Sequence, residues 1–308
     1  MAKLISIIIP VYNEEGNIRV MCDALDSVFD NAAYESELIF VDDGSSDNSA
    51  AILKELAALK KNVFYIGFSR NFGKDNAISA GLQRATGQAV ITMDADLQHP
   101  PAMIPGMIEL WEQGNEVVYA YREKRNVHAG KIKTYTSSFF YRTINRLSDL
   151  KLEDGISDFR LLDRKVVDVL NNLQEDEPFF RGLVKWVGFT QKGIPYNPNS
   201  RASGETKYSK RALASLAIKG ITSFSVKPLR IAIYIGFFCS FLSVLYIPYV
   251  IVSLIMHFAI SGWASVLVTI VFFGGIQLMI LGIIGIYLGK LFIQSKNRPH
   301  YVIKEASI

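Results

Sequence analysis

Only two cysteines, Cys22 and Cys239, occur in 308 residues, which excludes a small scaffold held by disulfides. They lie far apart and the second falls in an apolar run, so both are expected as small buried hydrophobes in a reducing compartment. Glycine (22) and proline (10) are too few and too irregular for a collagen-like or low-complexity chain. No G-x-G-x-x-G follows the first apolar run and no Walker A motif occurs, which disfavours dinucleotide cofactors and P-loop ATP hydrolysis. The run Leu4 to Ile9 is too short for a secretory signal and polar residues follow it, so residues 1–230 are expected in the cytoplasm.

The most telling absence is that of charge. From Ile231 to Gly289 there is no Asp, Glu, Lys or Arg over 59 residues, enough for two helices of roughly 20 to 26 residues crossing a hydrocarbon core of about 30 Å. Ile231 to Met256 and Trp263 to Leu288 are the expected spans, with His257 to Gly262 as the turn. Pro248 is expected to kink the first, and Gly274, Gly275, Gly282 and Gly285 permit close helix contact in the second, compatible with a homo-oligomer. Lys227 and Arg230 precede the pair and Lys290, Lys296 and Arg298 follow it, so both termini are expected inside a bacterial plasma membrane.

Charge elsewhere is uneven. Residues 1–121 carry 8 basic and 17 acidic side chains, whereas 122–151 carry 8 and 2 and 201–230 carry 7 and 1. The basic runs are interleaved with Phe139, Phe140, Tyr141, Leu147, Leu213, Leu216 and Ile218. That pattern fits amphipathic helices on an anionic leaflet better than nucleic acid binding. The front half alternates apolar strand-like runs (4–9, 38–41, 63–68, 89–93) with helical spacing at about 17–29, 48–59 and 76–85. This predicts an α/β fold with a mostly parallel sheet and right-handed crossovers. The expected organisation is a catalytic domain over 1–200, a basic juxtamembrane segment over 201–230, two transmembrane helices over 231–289 and a cytoplasmic tail over 290–308.

In such sheets ligands collect at the carboxyl ends of the strands, where three polar clusters stand: Tyr12-Asn13-Glu14-Glu15, Asp42-Asp43 and Asp94-Ala95-Asp96-Leu97-Gln98. Asp94 and Asp96 are two apart, and in an extended chain they project to one side, where paired carboxylates suit Mg²⁺ or Mn²⁺. Gln98 adds a neutral oxygen, whereas His99 reads as a packing or hydrogen-bonding neighbour. A solvated turn is the plainer reading of such a pair, and an Asx turn that of Asp42-Asp43. If functional, Asp42 and Asp43 accept hydrogen bonds from a base or ribose, with Tyr12, Asn13 and Glu14 across from them. Arg122, Lys124, Arg125, Arg201 and Lys207 are candidate phosphate contacts, with surface lipid contact as the alternative.

Taken together, Ile9 to Glu15, Val41 to Asp47, Asp94 to Pro100, Asp158-Phe159-Arg160-Leu161 and Arg201 to Tyr208 resemble the polyprenyl-phosphate glycosyltransferases of glycosyltransferase family 2. The bacterial branch of bactoprenol glucosyl transferases is the nearer likeness and the dolichol-phosphate mannose synthases the more distant. The resemblance implies a GT-A catalytic domain with two C-terminal transmembrane helices, a nucleotide sugar, a divalent metal and an inverted sugar on a lipid phosphate. It further implies nucleotide contacts from Pro10, Tyr12, Glu14 and Asp42, a donor-sugar contact from Asp94 and metal ligation by Asp96 and Gln98. Arg122, Arg125, Arg201 and Lys207 would meet the diphosphate or the acceptor phosphate. Asp158 is expected near the acceptor, as a weak base, a positioning group or the ion-pair partner of Arg160 or Arg164. UDP-glucose is the expected donor on resemblance, with UDP-N-acetylglucosamine, UDP-galactose and GDP-mannose as alternatives. A polysaccharide synthase is disfavoured because no Q-x-x-R-W occurs, and a non-catalytic membrane module or small transporter because the spans lack ionisable groups.

Overall fold

Strand β1 (Lys3–Val11) is the central strand of the molecule because it is apolar on both faces: Ile5, Ile7, Ile8 and Ile9 have no accessible surface. Burial of each such side chain contributes roughly 1.5–3 kcal/mol. The computed structural model describes residues 3–30, 32–122, 156–173, 175, 178–197, 222, 225–256 and 262–307. Around β1 follow α1 (Ile18–Phe29), β2 (Tyr34–Asp42), α2 (Ser49–Leu59), β3 (Val63–Phe68), α3 (Lys74–Arg84) and β4 (Ala89–Thr92). After a short 3₁₀ turn (Pro101–Met103) come α4 (Ile104–Glu112), β5 (Val117–Arg122), β6 (Ile156–Asp163), α5 (Arg164–Asn171), α6 (Phe180–Trp186) and β7 (Gln191–Tyr196).

The sheet has eight strands in the order β7-β5-β6-β4-β1-β2-β3-β8, where β8 is Ile303–Ala306. β1 pairs in parallel with β2 and β4, and β2 with β3. β6 enters antiparallel between β4 and β5. The chain therefore winds one way from β1 to β3 and then crosses to the other side of β1, so β1 and β4 flank the switch point where ligands are expected. The strands β6, β7 and β8 have no counterpart in the sequence reading. Residues 303–306, expected as part of a tail, form an edge strand that pairs antiparallel with β3.

One close approach sets where α3 lies. A Cβ on Gly81 would come 2.4 Å from Cγ2 of Ile8, so the helix can rest on β1 only with glycine there. Gly81→Ala is expected to destabilise the chain by about 1–3 kcal/mol through overpacking. Thermal unfolding of the full chain in detergent checks this, and an unchanged melting temperature would refute the close packing.

The described residues form two units, one with the sheet and residues 299–307, the other with residues 222, 225–256 and 262–298. In the second unit, α7 (Lys227–Ile255) has 29 residues with Pro248 inside it, and α8 (Trp263–Gln294) has 32. Both expected apolar stretches are thus helical. Among the described residues one stretch, Val268–Gln294, is long and apolar enough to cross a membrane. Cys22 is buried and Cys239 half-buried, and neither forms a disulfide. Most of the basic runs, with Lys124, Arg125, Arg201 and Lys207, lies outside the described residues.

Candidate active site

The loops after β1 and β2 are tied to each other by a ladder of hydrogen bonds. Asn13 N donates to Ser45 Oγ (2.9 Å), Asn13 Oδ1 accepts from Ser46 N (2.8 Å), and Glu14 N donates to Ser49 Oγ (3.0 Å). Asn13 has φ +56°, a left-handed conformation that Asn tolerates better than most residues and that lets its amide reach back. Pro10, paired in register with Val41, leads out of the strand. Asp42 is buried and accepts from Ser45 N (3.0 Å), closing the turn, while Tyr12 is 42% exposed.

Asp43 holds the next loop. Its carboxylate accepts from Phe72 N (2.6 Å) and from Gly73 N (2.9 Å). Burial raises its carboxyl above the usual value, and those two amides only partly offset this. Gly44, at φ +71°, packs directly on the Arg70 backbone, where a Cβ would come within 2.4 Å of a carbonyl carbon. Of the expected nucleotide contacts, Asn13, Glu14 and Asp43 therefore use polar groups to hold the loops together.

Asp94 and Asp96 do not lie in an extended chain as expected, because β4 ends at Thr92 and the chain turns over Ala95 and Asp96. Leu97 has φ +59°, an outlier of the kind that concentrates at functional sites. Asp96 Oδ1 accepts from Gln98 N (3.2 Å), and Gln98 Oε1 accepts from Arg122 Nη2 (3.1 Å). Asp94 N donates to Nδ1 of His99 (3.2 Å), whose ring is buried against Phe159. Burial lowers the His99 pKa, and with Nδ1 accepting, the ring is neutral. It is the packing and hydrogen-bonding neighbour expected.

The Asp94 carboxylate faces Lys74, the first residue of α3, in an ion pair. Lys74 Nζ also contacts Asp158 Oδ2 (2.6 Å), and Arg181 holds the same carboxylate through Nε to Oδ1 (2.5 Å) and Nη2 to Oδ2 (2.8 Å). Asp158 thus pairs with Lys74 and Arg181, not with Arg160, whose Nε donates to Ser157 O, or with Arg164, which donates to the carbonyls of Gly87 and Ala85. Burial alone would raise the Asp158 carboxyl, but the two cations prevail and hold it well below the usual carboxylate range. Burial opposes the charge on Lys74, and Asp94 with Asp158 more than restores it, so its pKa is raised. At neutral pH the cluster carries two carboxylates and two cations.

Lys74 and Arg181 were missed in the sequence. Lys74 was legible in part, since it follows Gly73 in the segment between β3 and α3. Arg181 carried no signal: α6 brings it to the site from 23 residues beyond Asp158.

Hard oxygens of Asp96 and Gln98 fit Mg²⁺ or Mn²⁺ in type. Among the described residues no group of three His, Cys, Asp or Glu side chains gathers to cage an ion. An ion here would need further ligands from a phosphate and water, the usual manner of Mg²⁺.

Residues 6–170 match the family model described as glycosyl transferase family 2. The chain is 44% identical over 302 residues to the uncharacterized glycosyltransferase YkcC of Bacillus subtilis, spanning 98% of this chain and 93% of that one. It is 40% identical over 303 residues to the SfII prophage-derived bactoprenol glucosyl transferase of Shigella flexneri, with 98% of both chains covered. Among solved structures, glucosyl-3-phosphoglycerate synthase from Mycobacterium tuberculosis, determined with Mn²⁺, UDP and phosphoglyceric acid, is similar at a TM-score of 0.50. That likeness, at 17% identity over 71% of this chain and 76% of that one, is one of fold.

Proposed function

The chain belongs to glycosyl transferase family 2 and is a glycosyltransferase with a GT-A-like fold, and from that premise we propose that it moves glucose from UDP-glucose to a polyprenyl phosphate. The product is a polyprenyl-monophosphate glucose of inverted anomeric configuration, made at the cytoplasmic face of the membrane. Full-length similarity to a bactoprenol glucosyl transferase supports the acceptor and the sugar. The membrane is supported by the helical apolar stretches, which we read as two spans carrying the catalytic unit on the cytoplasmic side.

The observation that carries the reading is the charge arrangement beside β4. An acidic turn at Asp96 stands next to a cluster in which Asp158 holds both Lys74 and Arg181 and Asp94 shares Lys74. Tyr12 offers an exposed ring to the base, and Asp42 a buried carboxylate to the nucleoside. A divalent ion held by Asp96 with Gln98 would supply charge neutralisation to the leaving diphosphate. Arg122, joined to Gln98, adds a fixed cation on the same side. Lys74 and Arg181 favour the approach of the dianionic acceptor phosphate, a role fitted to an ammonium point charge and a planar guanidinium fork. Arg125, Arg201 and Lys207 are proposed as further phosphate contacts.

No strong general base is needed, because a phosphate monoester has a second pKa of about 6 and is largely dianionic at neutral pH. Asp158 is poorly suited to that task, since its carboxyl lies well below the usual range and both oxygens are engaged. We therefore read it as a positioning residue.

The test is incubation of the purified full chain with Mn²⁺, undecaprenyl phosphate and each of UDP-glucose, UDP-N-acetylglucosamine, UDP-galactose and GDP-mannose. The expected result is a lipid-soluble monophosphate sugar formed fastest from UDP-glucose. A polymeric product, or no lipid product from any donor, overturns the reading.

A further inference from the structure

Helix α3 carries Lys74 at its first position, and the segment that steadies this helix comes from the far end of the chain. Tyr301 lies two residues before β8, outside the strand pairing, and its ring stacks on Phe68 at 4.9 Å and 14°. Phe68 in turn meets Phe72 edge-on at 5.7 Å and 90°. Phe72 sits in the loop whose amides Asp43 holds, two residues before Lys74. On its other side the Tyr301 hydroxyl donates to Gln83 Oε1 (2.6 Å), in the last turn of α3. The ring thus supports the loop before α3, and the hydroxyl reaches the end of α3. The backbone joins in, with Ser69 N donating to Val302 O (2.9 Å).

Covering the open edge of β3 would account for β8 itself. It does not account for all of Tyr301, whose ring stacks on Phe68 at the end of β3 and through it backs Phe72, and whose hydroxyl reaches α3. Groups that act on charge in a transition state must be held to within about 0.5 Å, and Lys74 is the end of a helix that Tyr301 touches at one end and, through Phe68 and Phe72, supports at the other.

We infer that Tyr301 is a positioning residue for glycosyl transfer, fixing Lys74 against Asp94 and Asp158 chiefly through the ring stack behind the loop that starts α3, with the hydroxyl a lesser tie to the far end of the helix. The inference rests on the proposed reaction for its kinetic readout. The experiment compares Tyr301→Ala, Tyr301→Phe and, as a control on the exposed face of β8, Lys304→Ala in the full chain. It measures kcat, KM for the nucleotide sugar, and amide hydrogen exchange at Phe72 and Gly73. Tyr301→Ala is expected to lower kcat about tenfold with KM changed less than twofold, and to speed exchange at both amides. Tyr301→Phe, which keeps the ring stack, and Lys304→Ala are expected within about twofold of the parent. The inference fails if Tyr301→Ala keeps the parent kcat, if its loss matches a loss of folded protein, or if Tyr301→Phe falls as far as Tyr301→Ala. If the parent forms no lipid-linked sugar, the proposed function fails, and unchanged exchange at Phe72 and Gly73 in Tyr301→Ala still refutes the positioning role on its own.

Discussion

Asp158→Asn is expected to lower kcat by about 10²–10³-fold, the range for removing one preorganised electrostatic contact from an active site. The amide keeps the shape of the carboxylate and discards the charge that holds Lys74 and Arg181 together. Lys74 is then left with Asp94, and neither cation keeps its aim. Removing one partner of a buried ion pair costs about 3–5 kcal/mol. Here the loss should fall near the low end, because the Lys74 and Arg181 side chains are 36% and 38% exposed and water can recover part of their charge. Steady-state kinetics alongside thermal unfolding separates the two effects. A kcat within about twofold of the parent would show that the cluster is structural only.

The same cluster is expected to keep its charges across the pH range of activity. A carboxyl depressed in the folded state adds stability that is complete above its unfolded value of about 3.9 and is lost as pH falls through the lower folded value. Asp158 therefore does not titrate between about pH 5 and 8. An acid limb of activity in that window is expected near pH 6, from the acceptor phosphate. It should move upward with a phosphonate acceptor of higher second pKa, and a limb that stays in place would assign the titration to the enzyme.

Asp96→Ala is the second large effect. A metal that neutralises a leaving diphosphate supplies several kcal/mol, and at 1.36 kcal/mol per tenfold the loss should be about 10³-fold in kcat/KM. Mn²⁺ titration in the presence of UDP, followed by electron paramagnetic resonance, should show weakened binding in the same variant. Full activity of Asp96→Ala without added metal would remove the ion from the mechanism.

Much of the sheet was legible because the strands that form its centre are buried on both faces. Leu4 to Ile9 and Ala89 to Met93 are apolar runs broken only by Ser6 and Thr92, with no competing helical period, and turn residues close each. The strands that escaped notice have mixed surroundings. β6 carries Asp158 and Arg160 within an apolar frame, and β7 contains Gly193 and Pro195. β8 has four residues, Ile303–Ala306, with alternating burial. Such short or polar strands are defined by the edge they join, which local spacing does not contain. Helix α3 begins at Lys74 rather than near Asn76, because Asp43, just past the end of β2, anchors the preceding amides.

The sequence by itself determined the alternation that makes an α/β sheet, the acidic loops at strand ends and the uncharged stretch that becomes two long helices. These follow from local patterns of burial and charge, which a few neighbouring residues suffice to express. Only the tertiary structure decided which charges meet. Asp94 and Asp96, two residues apart, acquire different partners because the strand stops at Thr92, while Lys74, Asp158 and Arg181 converge from a helix start, an antiparallel strand and a second helix. Tyr301 reaches α3 from beyond the last long helix. Electrostatic contacts act over a few ångströms of space whatever the distance along the chain, so this part of the site came into view only when the sheet order was known.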